Sequence, residues 1–187
     1  MHPPKIKTPM RVILIRHGPA AARDARRWPD DARRPLTARG AERTERALRG
    51  LKHEYVPTRI CSSPLVRCTE TAAIAQRVFT AARAPETLAA LAPSGSYTRI
   101  VEFLAQCKPS ESVALVGHEP DLGKLAGVLV FGAPATTLPL KKAGVCVIDF
   151  AGKVEAGKGH LLAFLPPRVL RARTGAKASR IGSKARA

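Results

Sequence analysis

Apolar and polar positions change rhythm repeatedly along this chain. Met10-Arg11-Val12-Ile13-Leu14-Ile15-Arg16 is a short, nearly unbroken apolar run rich in β-branched residues, the pattern of a strand covered on both faces. Ser112 to Val116 repeats it and is the strongest strand signal in the chain. Between them the spacing turns helical. Thr37 is placed to cap a helix running to about His53, with Ala41, Leu48 and Leu51 on its apolar side and arginines and glutamates outside. Arg59 to Ser62 reads as a second short strand ended by Ser63-Pro64, and a helix of small and polar residues follows from about Leu65 to Thr80. A third short strand is predicted near Glu86 to Leu91, then an amphipathic helix carrying Ile100, Val101, Leu104 and Ala105. Pro120 opens another helix to about Phe131, and Ala143 to Phe150 with His160 to Leu165 form a closing pair of strands. Strands alternating with helices predict an α/β fold, a mostly parallel central sheet flanked by helices in a three-layer sandwich. The long Pro19 to Pro35 loop leaves the first strand, and long ordered loops are commonly functional.

Length and composition bound the organisation. With 187 residues, 45% of them hydrophobic, the chain suits one domain with tails. The expected boundaries are a flexible extension over residues 1–9, the domain over 10–167, and a disordered basic tail over 168–187. No run approaches the roughly 18 to 20 apolar residues of a membrane span, and Met1 to Pro9 has no apolar signal core, so a cytoplasmic protein without a membrane partner is expected. Cys61, Cys68, Cys107 and Cys146 show no paired spacing and read as free thiols. Seven of the +18 net charges lie in Arg168, Arg171, Arg173, Lys177, Arg180, Lys184 and Arg186, yet the domain is itself basic without them. Such charge draws anions, whether phosphorylated substrates, acidic proteins or nucleic acid, and a weak polyanion contact through the tail is expected.

The chemistry gathers where strands end. Arg16-His17-Gly18 follows the first strand directly, and Gly117-His118 follows the one after Glu111. Open α/β sheets act at the carboxyl ends of their strands, so side-by-side strands would bring His17, Arg16, the Ser63 to Arg67 turn and His118 together. No metal-binding spacing such as His-x-x-x-His accompanies them, and Gly-x-Ser-x-Gly is absent, so neither a metal site nor a serine hydrolase is indicated and no cofactor is expected. Guanidinium forks instead suit a dianionic phosphoryl group, beside which a neutral imidazole can attack phosphorus.

Four stretches in order carry a resemblance: Arg16-His17-Gly18; Arg34-Pro35-Leu36-Thr37 followed by Gly40; Ser63-Pro64-Leu65-Val66-Arg67 with Thr69 and Thr71 nearby; and Gly117-His118-Glu119-Pro120. Together they resemble the histidine phosphatase superfamily, with its phosphoglycerate mutase-like fold, over roughly Met10 to Pro166. The short length resembles the SixA branch, the bacterial phosphohistidine phosphatases. The resemblance implies that His17 is the nucleophile, that Arg16 and Arg67 grip the phosphoryl group, that His118 donates to its oxygens, and that Gly18 and Ser63 bind or shape around the substrate. It also implies a metal-independent phosphatase whose substrate is a phosphohistidine protein.

The sequence departs from larger superfamily members, which place a proton-donating carboxylate after the third strand; here the stretch is Ala89-Ala90-Leu91-Ala92. An imidazole leaves without a dedicated acid, whereas an alkoxide needs one, and Glu86, Asp24 or Glu119 could approach from loops. A phosphatase of small phosphomonoesters or nucleotides is therefore the alternative enzyme. An inactive polyanion-binding scaffold is the alternative outside enzymes, disfavoured by only 4% aromatic residues for stacking on bases.

Overall fold

A computed structural model of the chain describes residues 9–80, 82–134 and 138–174. Six strands, β1 (Met10–Arg16), β2 (Arg59–Ser62), β3 (Glu86–Thr87), β4 (Ser112–Gly117), β5 (Val145–Phe150) and β6 (His160–Leu165), form one sheet in the order β3-β2-β4-β1-β5-β6. The first four in that order are parallel, and β5 and β6 close the far side antiparallel. β1 lies inside, between β4 and β5, which is why its sequence is apolar at every interior position but one. That exception is Arg11, whose guanidinium meets Asp149 of β5 with two bonds of 2.6 and 2.7 Å and so pins the register of the antiparallel pair.

Alternate residues of β1 feed two separate cores. Val12 and Leu14 join Val113 and Leu115 beneath α3 (Tyr97–Ala105) and α4 (Asp121–Phe131). Ile13 and Ile15 join Ala114 and Val116 beneath α1 (Ala38–Arg49), α2 (Val66–Val78) and α5 (Pro167–Arg173). The result is the mostly parallel, three-layer α/β architecture that the alternation of elements predicts. Thr37 does cap α1, its Oγ1 accepting from the Gly40 N–H at 2.9 Å. Gly40 itself is demanded by packing, because a Cβ there would sit 1.9 Å from the Pro19 carbonyl oxygen. This contact presses the start of α1 against the chain leaving β1.

Three local expectations are corrected. β3 is only two residues long, because Leu88 and Leu91, three apart, follow a 3-10 turn over Ala89–Leu91 that buries Leu91. α1 stops before Gly50 rather than near His53, since Gly50 lies so close to α5 that a Cβ would come within 1.9 Å of the Leu170 carbonyl oxygen. The domain also extends past Pro167, where a solvated tail was expected to begin. α5 is ordered on α1 because Leu170 is fully buried, one apolar anchor among basic neighbours that hide its signal in the sequence. Residues 175–187 and 1–8, the rest of the expected tails, lie outside the described residues. Among the described residues no helix is long and apolar enough to cross a membrane.

Leu170→Ala should lower unfolding free energy by about 2 to 4 kcal/mol, the usual cost of emptying a buried leucine site. Val169→Ala, at a residue 44% exposed, should change it by less than about 0.5 kcal/mol. Urea titration of both variants checks this; equal, negligible losses would mean that α5 is not part of the cooperative fold.

Candidate active site

The parallel register sets the site. Arg16 of β1 stands opposite Gly117 of β4, and Ser62 of β2 opposite Val116, so the three strands end level with one another. Ladder-type hydrogen bonds continue one residue further, from the His17 N–H to the Gly117 carbonyl at 3.0 Å and from the Ser63 N–H to the Val116 carbonyl at 2.9 Å. On the other side, Ala143 adopts a left-handed conformation with φ 59°. Its N–H reaches the carbonyls of Arg16 and His17 at 3.1 and 3.2 Å, tethering the end of β1.

Arg16, His17, Arg67 and His118 all line one cleft of about 570 Å3 at this edge. The two imidazoles are inclined at 57° with their centres 5.3 Å apart. His17 is almost wholly buried, and its Nδ1 lies 2.7 Å from the Gly18 carbonyl oxygen. A carbonyl only accepts, so Nδ1 carries the proton and Nε2 is left with the lone pair. His118 Nε2 is 2.9 Å from Ser63 Oγ, with Cys68 Sγ 3.4 Å away. Burial drives both imidazoles away from protonation, His17 to about 3 and His118 to about 4; His17 is further opposed by His118 and Arg67, and His118 by Arg67.

Arg67, from the first turn of α2, is held by the loop after β1. Its terminal nitrogens meet the Asp31 carbonyl at 2.8 Å and the Asp31 carboxylate at 3.1 Å. The Arg16 guanidinium donates to the Leu140 carbonyl at 2.7 Å. The Nε of each is buried without a hydrogen-bond partner among the described residues, an unusual state for a charged donor. Burial accordingly makes both guanidiniums less basic than usual.

Gly18 and Ser63, expected at the substrate, lie a layer beneath the cleft wall. The Gly18 N–H donates to Thr71 Oγ1 at 3.1 Å, and a Cβ at Gly18 would meet Thr44 Oγ1 at 2.1 Å. Ser63 is fully buried and spends its hydroxyl on His118 and, at 3.4 Å, on the Leu65 N–H. Both orient the histidines. Of the carboxylates considered, Glu86 pairs with Arg59 and Asp24 accepts from its own turn, whereas Glu119 lines the cleft. Glu119 accepts from the N–H groups of Gly123 and Leu140, both at 3.1 Å, and burial raises its pKa.

Residue typing alone missed Arg34 and Asp31. Arg34 is buried and lines the cleft, donating to Asp31 at 2.8 Å and to the Ala21 carbonyl at 2.7 Å. Its signal was present, since Arg34-Pro35-Leu36-Thr37 stands among the motifs; no pattern marked Asp31. Arg23, Lys124 and Lys142 add further positive charge to the cleft. Among the described residues no three His, Cys, Asp or Glu side chains are placed to hold a metal ion together.

Guanidiniums gathered around imidazoles of low basicity at the strand ends are a chemistry suited to a phosphoryl group. The sequence model of the Histidine phosphatase superfamily (branch 1) matches residues 12–92. An uncharacterized protein of Picosynechococcus is 35% identical over 139 residues, covering 73% of this chain and 82% of that protein. The structure of the protein histidine phosphatase SixA complexed with tungstate is similar at TM-score 0.74 and 25% identity, covering 86% of this chain and 99% of that one. A putative phosphohistidine phosphatase SixA from Agrobacterium tumefaciens is similar at TM-score 0.67 and 24% identity, covering 85% and 99% respectively. The chain belongs to the histidine phosphatase superfamily.

Both rings of the cleft should stay neutral in the ligand-free protein down to about pH 5, well below the ordinary histidine midpoint near 6.5. The unfolded chain takes up these protons below about 6.5 while the folded one does not until about 3 to 4, so acidification through this window should lower stability. NMR titration of the ring C–H signals checks it; a midpoint above about 6 for either ring would overturn the desolvated site.

Proposed function

We propose that this superfamily phosphatase hydrolyses phosphohistidine on a protein, with His17 as the transient phosphoryl acceptor. The observation that carries the reading is the His17 tautomer. With the Nδ1 proton held by the Gly18 carbonyl, the Nε2 lone pair is the ring's free nucleophile, and depressed basicity keeps it available at neutral pH. Arg16 and Arg67 line the same cleft with unpartnered buried Nε groups, and the three phosphoryl oxygens would supply the missing acceptors. Arg34 adds charge, and Asp31 holds Arg34 and Arg67 together as a positioning residue.

In the first step His17 Nε2 forms a bond to phosphorus as the bond to the substrate's imidazole nitrogen breaks, that nitrogen keeping the pair and taking a proton. In the second, water attacks the phosphorylated His17, releasing inorganic phosphate and restoring the neutral ring. His118 donates to the phosphoryl oxygens in both. Phosphohistidine is favoured over phosphoesters because Leu88 to Leu91, after the third strand, presents no acid, and imidazole is a leaving group that departs without one. The likeness to the two SixA structures supports the same choice. A small phosphomonoester is the second reading, favoured by Glu119, a carboxyl in the cleft whose raised pKa suits a proton donor.

Incubation in EDTA with a phosphohistidine protein, sugar phosphates and nucleotides separates the two, and faster turnover of phosphohistidine is expected. Preference for phosphoesters, with loss of that preference in Glu119→Gln, would establish the second reading instead. Quenching labelled turnover into alkali, which preserves phosphoramidates, should trap label on His17 and accumulate more of it in His118→Ala; label on Ser63 or Cys61 would contradict this mechanism.

Arg67→Ala should cost about 2 to 4 kcal/mol of transition-state stabilisation, as loss of one desolvated donor does elsewhere. Steady-state kcat/KM measures it, and a loss under about tenfold would place Arg67 outside the reacting shell.

A further inference from the structure

A second cavity, of about 750 Å3, opens at the other end of the molecule. Six cations line it: Arg46 and Arg49 at the end of α1, Lys52 just beyond, Arg77 near the end of α2, and Arg171 and Arg173 of α5. The start of α1 packs against Pro19 beside the first cleft, and the helix then runs about 18 Å away from it, so the two cavities lie toward opposite ends of α1.

Its lining holds one carboxylate, Glu45, which pairs with Arg49 at 2.5 Å, while Arg173 pairs with Glu54. Among the described residues Arg46, Lys52, Arg77 and Arg171 have no ion-pair partner. Arg171 is half-buried, and after burial the largest influences lowering its pKa are Arg43 and Arg46. The fold enforces this crowding. Leu170 is buried against α1, and Gly50 permits an approach that a Cβ would forbid, so the next residue, Arg171, is carried onto the arginine-bearing end of α1. Like charges held together by close packing cost stability, and a bound polyanion offsets that cost.

We propose that this distal groove binds the phosphodiester backbone of a nucleic-acid strand, independently of sequence. Five of its six cations are arginines, whose planar forks match phosphate oxygens. His53 supplies the one ring in its lining, with no Phe, Tyr or Trp beside it, so stacking on bases is slight and contact runs mainly through the backbone. A protein partner would need apolar or aromatic anchors, and the groove offers only Val78 and Ala172. The sequence beyond Thr174 adds Lys177, Arg180, Lys184 and Arg186 with no acid, so like charge rules it out as the groove's occupant.

The full chain is titrated into a fluorescently labelled single-stranded oligonucleotide of about 20 nucleotides, followed by anisotropy. Affinity should fall at least about tenfold between about 50 and 200 mM salt. Arg46→Glu combined with Arg171→Glu should weaken binding at least about tenfold at fixed salt, and Arg77→Gln, on a separate helix, by a smaller factor. His17→Ala should bind as the parent does, and circular dichroism should show each variant folded. A dissociation constant unchanged within about twofold in both groove variants would overturn the proposal, as would binding lost only on removing residues 175–187. Competition by poly-glutamate as effective as that by unlabelled oligonucleotide would also overturn it, in favour of an acidic polypeptide.

Discussion

The hydrogen bond from the His17 N–H to the Gly117 carbonyl carries the β1–β4 ladder one residue past the last paired position, and the cleft depends on it. It brings the residue after each strand to a common level, with His118 next to the acceptor itself. A one-residue slip would reverse the alternation of Val12 and Leu14 with Ile13 and Ile15 between the two cores, so packing over the whole length of β1 defends the placement of His17. Tethering by Ala143 from β5's side removes the remaining freedom at the strand end.

That placement has an electrostatic consequence. Two imidazoles share a poorly solvated cleft with Arg16, Arg34 and Arg67, and the least costly protonation state leaves both rings neutral. Neutrality is what a nucleophilic nitrogen needs. Among the described residues two guanidinium Nε groups, those of Arg16 and Arg67, are buried without an acceptor. Asp31 compensates part of the arginine charge from the loop side, holding the forks without filling the cleft. The cleft's attraction for an anion thus follows from burial as much as from residue type.

Positive charge is distributed on a different principle at the distal edge. There α1, α2 and α5 end with arginines around a cavity, and the close approach of Gly50 to the Leu170 carbonyl sets how closely they crowd. The cleft at the strand ends gathers a few buried donors in one place, whereas the distal groove spreads its donors over a length of surface. One chain accordingly presents two anion-attracting surfaces of different depth.

The order of strands and helices, the two buried strands of the inner sheet and the four motif-bearing histidines and arginines were all legible in the sequence, because apolar periodicity and short-range turn chemistry are local properties. Arg34 stood in a visible motif, yet only the fold shows it buried in the cleft. Asp31 carried no pattern at all, since its importance comes from Arg34 and Arg67 arriving beside it from elsewhere in the chain. The placing of Gly18 and Ser63 beneath the wall, the proton on His17 Nδ1 and the docking of α5 through Leu170 were likewise decided only in three dimensions. Each depends on which backbone carbonyl, hydroxyl or apolar pocket lies opposite, and long-range packing alone supplies that partner.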